Sequence, residues 1–251
     1  MAEPTLTAPS KTEAVFERAM TYPYAIPARS YVYHNGGCEQ VSLKTAFPDV
    51  SGLTPVLAVG SNQSPVQLGR KFSGSGWAPI PVSRVALADF DTVYSAHITG
   101  YGSIAATLCH APGVTVNLFV NWLNADHLER MHETELASEN YEFGKLKDVD
   151  LRAEVGPGLT DVYFYQGRRG AFAHEGEPVP LAEVSAIGRQ SSGMTQGQIQ
   201  DRICSLLTPG KALFDFVCES VAYPKIRQTR TERIGQGSLP FSYGGYVPSA
   251  V

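Results

Sequence analysis

Val56-Leu57-Ala58-Val59-Gly60-Ser61-Asn62-Gln63-Ser64-Pro65-Val66-Gln67-Leu68 is the stretch that decides how this 251-residue chain is read. Its first four residues form a short continuous apolar run, which, bounded by turn residues, reads as a buried strand. Gly60-Ser61-Asn62 ends the run in a tight loop. Ser64-Pro65 then opens a helix through Leu68 to Phe72, with Ser64 as cap and Pro65 at the first helical position. A small-residue loop between a buried strand and a helix lets backbone N–H groups approach an oxygen closely, as anion and oxyanion sites require. A plain turn has the same composition, so the triplet becomes a site only with a second feature beside it.

That second feature lies downstream. A helix starts at Asn124 or Ala125-Asp126 and runs to about Leu136. At about 100° per residue, Leu128, Met131 and Glu135 fall within about 60° of one another, with His132 and Asn124 beside them. Glu129, Arg130 and Glu133 point elsewhere and form a solvated face. Glu135 thus sits on the apolar stripe, where a carboxylate is costly unless something satisfies or uses it. Burial raises its pKa toward the range useful for proton transfer, and a protonated His132 would oppose that rise. A Glu135 that ends the helix and escapes to solvent is the alternative.

Outward from these two segments the chain is β-rich. Val82–Ala88, Thr92–Thr99, Ile104–Leu108 and Val114–Leu123 are strand-like, rich in Val, Ile, Leu, Thr, Phe and Tyr and punctuated by Gly and Pro. Tyr141–Asp150 and Leu159–Gln166 resume that character. Ser10-Lys11-Thr12-Glu13 has capping-box spacing and starts a short helix to about Met20. Thr21–Arg29, with two prolines, cannot continue it. Tyr31–Ser51 reads as irregular, with a turn at Asn35-Gly36-Gly37. Helices follow at Gln196–Leu207 and Lys211–Val221, and Gly235–Val251 reads as a flexible tail. The expected organisation is an N-terminal arm (1–50), a core (51–166) and a C-terminal extension (167–251) packed on that core.

Four segments in order resemble the γ-glutamylcyclotransferase-like family. Val56–Leu68 is similar to its "YGSN…L" strand–loop–helix signature. Ala105-Ala106-Thr107-Leu108-Cys109-His110-Ala111-Pro112-Gly113 is similar to its "ATI.PAPG" hairpin, and an apolar strand follows. Leu128-Glu129-Arg130-Met131-His132-Glu133-Thr134-Glu135 resembles its "L..LD..E" helix, and Asn140-Tyr141-Glu142-Phe143 its "YxR" strand. The resemblance spans about Pro55 to Asp150. Val59 stands where most relatives have Tyr, His132 where they have Asp, and Leu136 where they have Gly. The resemblance implies an α+β fold built on a small mixed β-barrel with flanking helices. It also implies Glu135 as the catalytic acid/base, with substrate held by Val59, Gly60, Ser61, Asn62 and Tyr141. The chemistry it implies is cyclisation of a γ-glutamyl or related small amide, releasing 5-oxoproline and an amine, with no metal and no organic cofactor. Another amide hydrolase or transferase on the same scaffold, or a non-catalytic ligand-binding or accessory module, are the competing readings, because a shared fold does not guarantee a shared function.

Composition excludes other classes. Twenty Lys and Arg against 24 Asp and Glu leave a charge of −4, with no basic footprint for nucleic acid. No stretch approaches the ~18 apolar residues of a membrane helix. Met1–Ser10 has neither the basic start nor the apolar run of a signal peptide. Gly and Pro make up 41 of the 251 residues and favour short elements over a helical bundle. Cys38, Cys109, Cys204 and Cys218 form no C-x-x-C pair and read as buried reduced thiols in a cytoplasmic protein. Gly100-Tyr101-Gly102-Ser103-Ile104-Ala105 matches G-x-G-x-x-A only formally: Pro112-Gly113 interrupts any helix, and the glycines are expected to bend a barrel strand. His127 and His132 lie about 140° apart around a helix and cannot share a metal. Arg227, Arg230 and Arg233 read as a solvated surface or a contact for an acidic partner. A small-molecule amide is the expected partner, with a homodimer or an enzyme-subunit partner left open.

Overall fold

The computed structural model describes residues 10–35, 37–41 and 46–250. Residues 1–9 of the N-terminal stretch and Gly36 of the expected Asn35-Gly36-Gly37 turn lie outside the described residues. In chain order the elements are α1 (Lys11–Met20), β1 (Tyr31–His34), β2 (Gly37–Gln40), β3 (Thr54–Ala58), a 3₁₀ turn (Ser61–Gln63) and α2 (Pro65–Lys71). Then come β4 (Ile80–Ile98), β5 (Ile104–Leu123), α3 (Ala125–Glu135), β6 (Tyr141–Leu146), β7 (Leu151–Ala153) and β8 (Val162–Gly167). The last third holds β9 (Ala173–His174), β10 (Glu177–Pro178), β11 (Ala186–Ile187), α4 (Gln196–Leu207), α5 (Leu213–Ala222), α6 (Pro224–Ile234) and β12 (Tyr246–Pro248). No helix among the described residues is long and apolar enough to cross a membrane.

The main sheet is mixed, in the order β12-β6-β8-β3-β5-β4-β1-β2, with β11 against β5 and β7 against β4. β3 runs parallel to β8 and antiparallel to β5. The expected barrel does not form, because the edge strands β12 and β2 do not pair and the sheet stays open. Leu68 and Phe72 of the α2 segment and Met131 of α3 pack with Tyr31 and Tyr33 of β1 and with Phe143 of β6.

Alternation along the strands sends the core to both faces. Val56 and Ala58 of β3 join the cluster under α2 and α3. Leu57 and Val59 join the larger cluster that Ile199, Ile203, Phe216 and Val217 of α4 and α5 complete. The four strands expected between Val82 and Leu123 are two long ones. Asp89, at φ 64°, opposes an outward bend of β5 at Pro112-Gly113, and the Gly113 N–H donates to Asp89 Oδ1 at 2.8 Å. The bulge reverses the parity of β4, so Val85 and Leu87 before it and Phe90 and Tyr94 after it reach the same core. The chain bends at these turn residues without leaving the sheet.

Other expectations are corrected too. Tyr31–His34 and Gly37–Gln40 are not irregular but pair antiparallel, with Tyr31 and Tyr33 buried and their partners across the ladder exposed. Gly100-Tyr101-Gly102 is the turn joining the antiparallel β4 and β5, with Gly102 at φ 91° against Val217 and Val221, and bends no barrel strand. The expected flexible tail is tied down over residues 235–250: Tyr246 and Phe241 pack on Phe164, and the Tyr243 hydroxyl donates to Lys147 O at 2.9 Å. The basic cluster lies on α6, where Arg230 is buried, Arg227 half-buried and Arg233 exposed as expected. Arg230 donates to Phe216 O and Ser220 Oγ and pairs with Glu219, while Arg233 donates to Leu207 O. Of the four free cysteines only Cys204 is buried, and Cys38 is exposed.

Candidate active site

The sheet brings together segments far apart in the chain. β3 delivers Val59, Gly60, Ser61 and Asn62 to its end, and α3 delivers Glu135 as its last residue. Asn124 caps that helix, its side chain accepting the His127 N–H at 2.8 Å, and Met131 is fully buried beneath it. Val59, Gly60, Ser61, Asn62, Glu135 and Tyr141 all line one cavity of about 490 Å³.

Glu135 is held through one oxygen. Asn62 Nδ2 donates to Oε1 at 2.9 Å, and Lys71 Nζ, from the last residue of α2, pairs with the same atom. Lys71 also donates to Thr134 Oγ1 at 2.9 Å and lies 3.4 Å from Met131 Sδ, so all three of its N–H groups are spent. Arg130 Nε donates to Lys71 O at 3.0 Å and ties the end of α2 to α3. Glu135 Oε2 takes no hydrogen bond from the described residues, yet it is not sealed from solvent. Burial pushes the Glu135 carboxyl up, but the Lys71 ammonium and the hydrogen bonds from Lys71 and Asn62 outweigh it and hold the group below the ordinary value. The rise expected from burial alone is therefore reversed, because the stripe that buries Glu135 faces a buried cation. His132 is not the opposing charge: burial lowers its pKa, and its Nδ1 lies 2.9 Å from the Tyr165 hydroxyl.

The loop is built around a residue of the N-terminal arm. Tyr22, 4% exposed, accepts the Ala106 N–H at 2.8 Å. A Cβ on Gly60 would overlap that hydroxyl oxygen. Gly60 is thus required by Tyr22, a phenol that lines the cavity. Asn121 Nδ2 holds Asn62 O at 3.2 Å, and Gln63 Nε2 holds Val59 O at 3.0 Å. With the Ala106 N–H directed at its oxygen, the Tyr22 O–H is left to donate elsewhere.

The walls are aromatic. Tyr141 and Tyr165 stand beside Glu135 in the lining, and burial raises the pKa of both, as it does for Tyr22 and Tyr101, so the phenols stay protonated at neutral pH. His97 of β4, 2% exposed, has Nδ1 3.1 Å from Ser95 Oγ. Burial, with Arg169 adding to it, lowers its pKa to about 4, which makes it a neutral imidazole. Sequence reasoning missed Tyr22, Lys71, His97 and Tyr165. Lys71 ends a helix whose start was legible, but nothing local tells a buried lysine from a solvated one.

The fold and the site define an α+β protein that presents one ionised, singly anchored carboxylate to a tyrosine-walled cavity. No family model matches the chain, and no curated protein matches it. Among solved structures, the chain is similar to one described as "Gamma-glutamyl cyclotransferase", at 16% identity and TM-score 0.36, covering 76% of this chain and 91% of that one. It is similar to the human uncharacterized protein loc79017 at 15% identity and TM-score 0.37, covering 78% and 93%. The At5g39720.1 protein of Arabidopsis thaliana gives 18% identity and TM-score 0.35, covering 47% and 71%.

Proposed function

We propose that this chain is a γ-glutamylcyclotransferase-like enzyme acting on a γ-glutamyl or related small amide, with Glu135 as the acid/base. The observation that supports this reading most is the anchoring of Glu135 Oε1 by Asn62 and Lys71, which leaves Oε2 open toward the cavity. An ionised carboxylate so placed accepts a proton without having to lose one first.

The substrate's neutral α-amine attacks its own side-chain carbonyl carbon. A C–N bond forms, closing a five-membered ring, and Glu135 Oε2 takes the proton that the nitrogen sheds. The carbonyl oxygen, now carrying negative charge, meets the Tyr22 O–H, whose oxygen is polarised by the backbone N–H of Ala106. Collapse breaks the original amide C–N bond, and Glu135 returns the proton to the leaving nitrogen. The products are 5-oxoproline and a free amine. Because the attack is intramolecular, the protein's task is to hold the near-attack conformer. Asn62 and Lys71 act here as positioning residues. No step needs a metal or an organic cofactor.

The test is a mass-spectrometric product assay on a panel of γ-glutamyl peptides and amines, with wild type beside Glu135→Gln. Release of 5-oxoproline that falls by about 10²–10⁴-fold in the variant is the expected result. A linear acid product would move the assignment to amide hydrolysis on the same scaffold. Saturable binding without turnover would move it to a non-catalytic module.

A further inference from the structure

The charge lining the cavity is opposite in sign to that of the chain. Among the described residues, four cationic side chains line it (Arg18, Arg70, Lys71 and Arg227) against a single carboxylate, Glu135, although the whole chain carries −4. Lys71 is consumed by Glu135. The three arginines have no carboxylate within 4 Å among the described residues. They come from three helices: Arg18 from α1, Arg70 from α2 and Arg227 from α6.

Two of them are oriented without being spent. The Arg18 guanidinium lies 4.7 Å from the centroid of the Tyr101 ring, and that of Arg70 lies 4.1 Å from the Tyr24 centroid. Stacking fixes the plane of a guanidinium and leaves its edge N–H groups available. No hydrogen bond of Arg18 is found among the described residues, and Arg70 makes one long contact, to Gln67 at 3.4 Å. Arg227 differs, since its Nη1 holds Ser220 O at 2.8 Å. Uncompensated guanidinium groups around a cavity attract and orient an anion, and their planar forks match carboxylate and phosphate.

We propose that Arg18, Arg70 and Arg227 form an anion subsite at the mouth of the cavity, which takes a carboxylate or phosphate carried by the part of the ligand remote from Glu135. In the reaction proposed above, on which the identity of the ligand rests, that part is the departing amine. The terminal segments then act as the specificity elements of this chain, because α1 and α6 supply two of the three cations. Neutral amines of the same size gain nothing from this rim and are discriminated against.

Two measurements test this, and they fail separately. The first uses inorganic phosphate at low ionic strength as the probe. It raises the melting temperature of the wild type, and the rise is lost in Arg18→Gln/Arg70→Gln; Arg227 is left in place because it holds the end of α5. No rise, or an equal rise in both proteins, overturns the subsite. The second compares γ-glutamyl amides of β-alanine, of 2-aminoethyl phosphate and of propylamine. The acid-bearing amides are favoured over the neutral one by about tenfold or more in kcat/KM, and the ratio collapses in the variant. Whichever of the first two is preferred tells carboxylate from phosphate. Equal turnover of all three by the wild type, or a preference that survives in the variant, overturns the subsite while the cyclotransferase reading stands. If phosphate stabilises only the wild type but no amide is turned over, the subsite stands and the cyclotransferase reading falls.

Discussion

Replacing Lys71 by Met removes the ammonium and keeps the apolar stem that packs between α2 and α3. Lys71 is 6% exposed and Glu135 15%, so the pair is largely out of water. Breaking a buried pair by removing one partner costs about 3–5 kcal/mol, since a charge is left without compensation. Glu135 keeps the Asn62 hydrogen bond and an open Oε2, which places this site at the lower end, about 3 kcal/mol. For a domain of this size that corresponds to a fall of about 6–12 °C in Tm at pH 7. The pH dependence carries the sign. In the wild type the folded carboxyl is held below its ordinary value of 4.5, so it stabilises the protein above that pH and the contribution is lost as pH falls through the lower folded value. Without Lys71 the desolvation of Glu135 is opposed chiefly by Asn62, its folded pKa rises, and protonation relieves the penalty. The Tm deficit of Lys71→Met is therefore largest near pH 7 and shrinks toward pH 4.5. Adding Glu135→Gln to Lys71→Met restores much of the loss, because a neutral amide replaces the stranded charge. Thermal unfolding of the four proteins at several pH values measures all of this. A deficit independent of pH, or a double variant no more stable than Lys71→Met alone, would refute an uncompensated Glu135 as its cause.

Three further substitutions probe the Gly60 loop and the long sheet. Gly60→Ala drives a methyl into the Tyr22 hydroxyl and lowers kcat strongly, whereas Tyr22→Phe, which removes the O–H donor, lowers kcat by about 10²–10³ with KM little changed. In a double-mutant cycle followed by steady-state kinetics and Tm, Gly60→Ala costs less stability in the Tyr22→Phe background, and strict additivity would contradict the close approach. The Arg189–Asp91 pair, with Nη2 to Oδ1 at 2.6 Å and Nε to Oδ2 at 2.8 Å, is buried under the bend of β4. Arg189→Met destabilises by about 3–5 kcal/mol in chemical denaturation, and a loss under 1 kcal/mol would show that the bend does not depend on it.

The local elements were legible where one segment's chemistry decides its form. Ser10 with Glu13, Ser64 with Pro65, and Asn124 cap the helices that their spacing announces, and the buried run Val56–Val59 holds the end of β3, Thr54–Ala58, before a 3₁₀ turn. Capping and periodicity act within a few residues, so the sequence contains them outright. Asp89 and Pro112-Gly113 read as strand breaks, yet they bend two continuous strands, because pairing across the ladder overrides the local signal. Nor could a single segment show whether the sheet closes, because closure depends on pairing between edge strands far apart in the chain, and here β12 and β2 do not pair. Arg230 reads as a surface charge in sequence and is buried because three acceptors of α5 surround it.

At the site the division is sharper. Val59, Gly60, Ser61, Asn62, Tyr141 and Glu135 could be named from the resemblance of their segments to one family, and the fold brings all six to one cavity. The ionisation of Glu135 could not. Periodicity shows that a carboxylate faces inward, but its charge state depends on Lys71, which is 64 residues away in sequence. Nor does any local pattern announce Tyr22, whose hydroxyl reaches Ala106 across 84 residues. A sequence specifies the groups and the faces they present through short-range sterics and hydrophobic period. Which of those groups neutralise, polarise or exclude one another is decided by distance in the folded chain, because Coulombic and hydrogen-bond energies follow separation in space and not along the sequence.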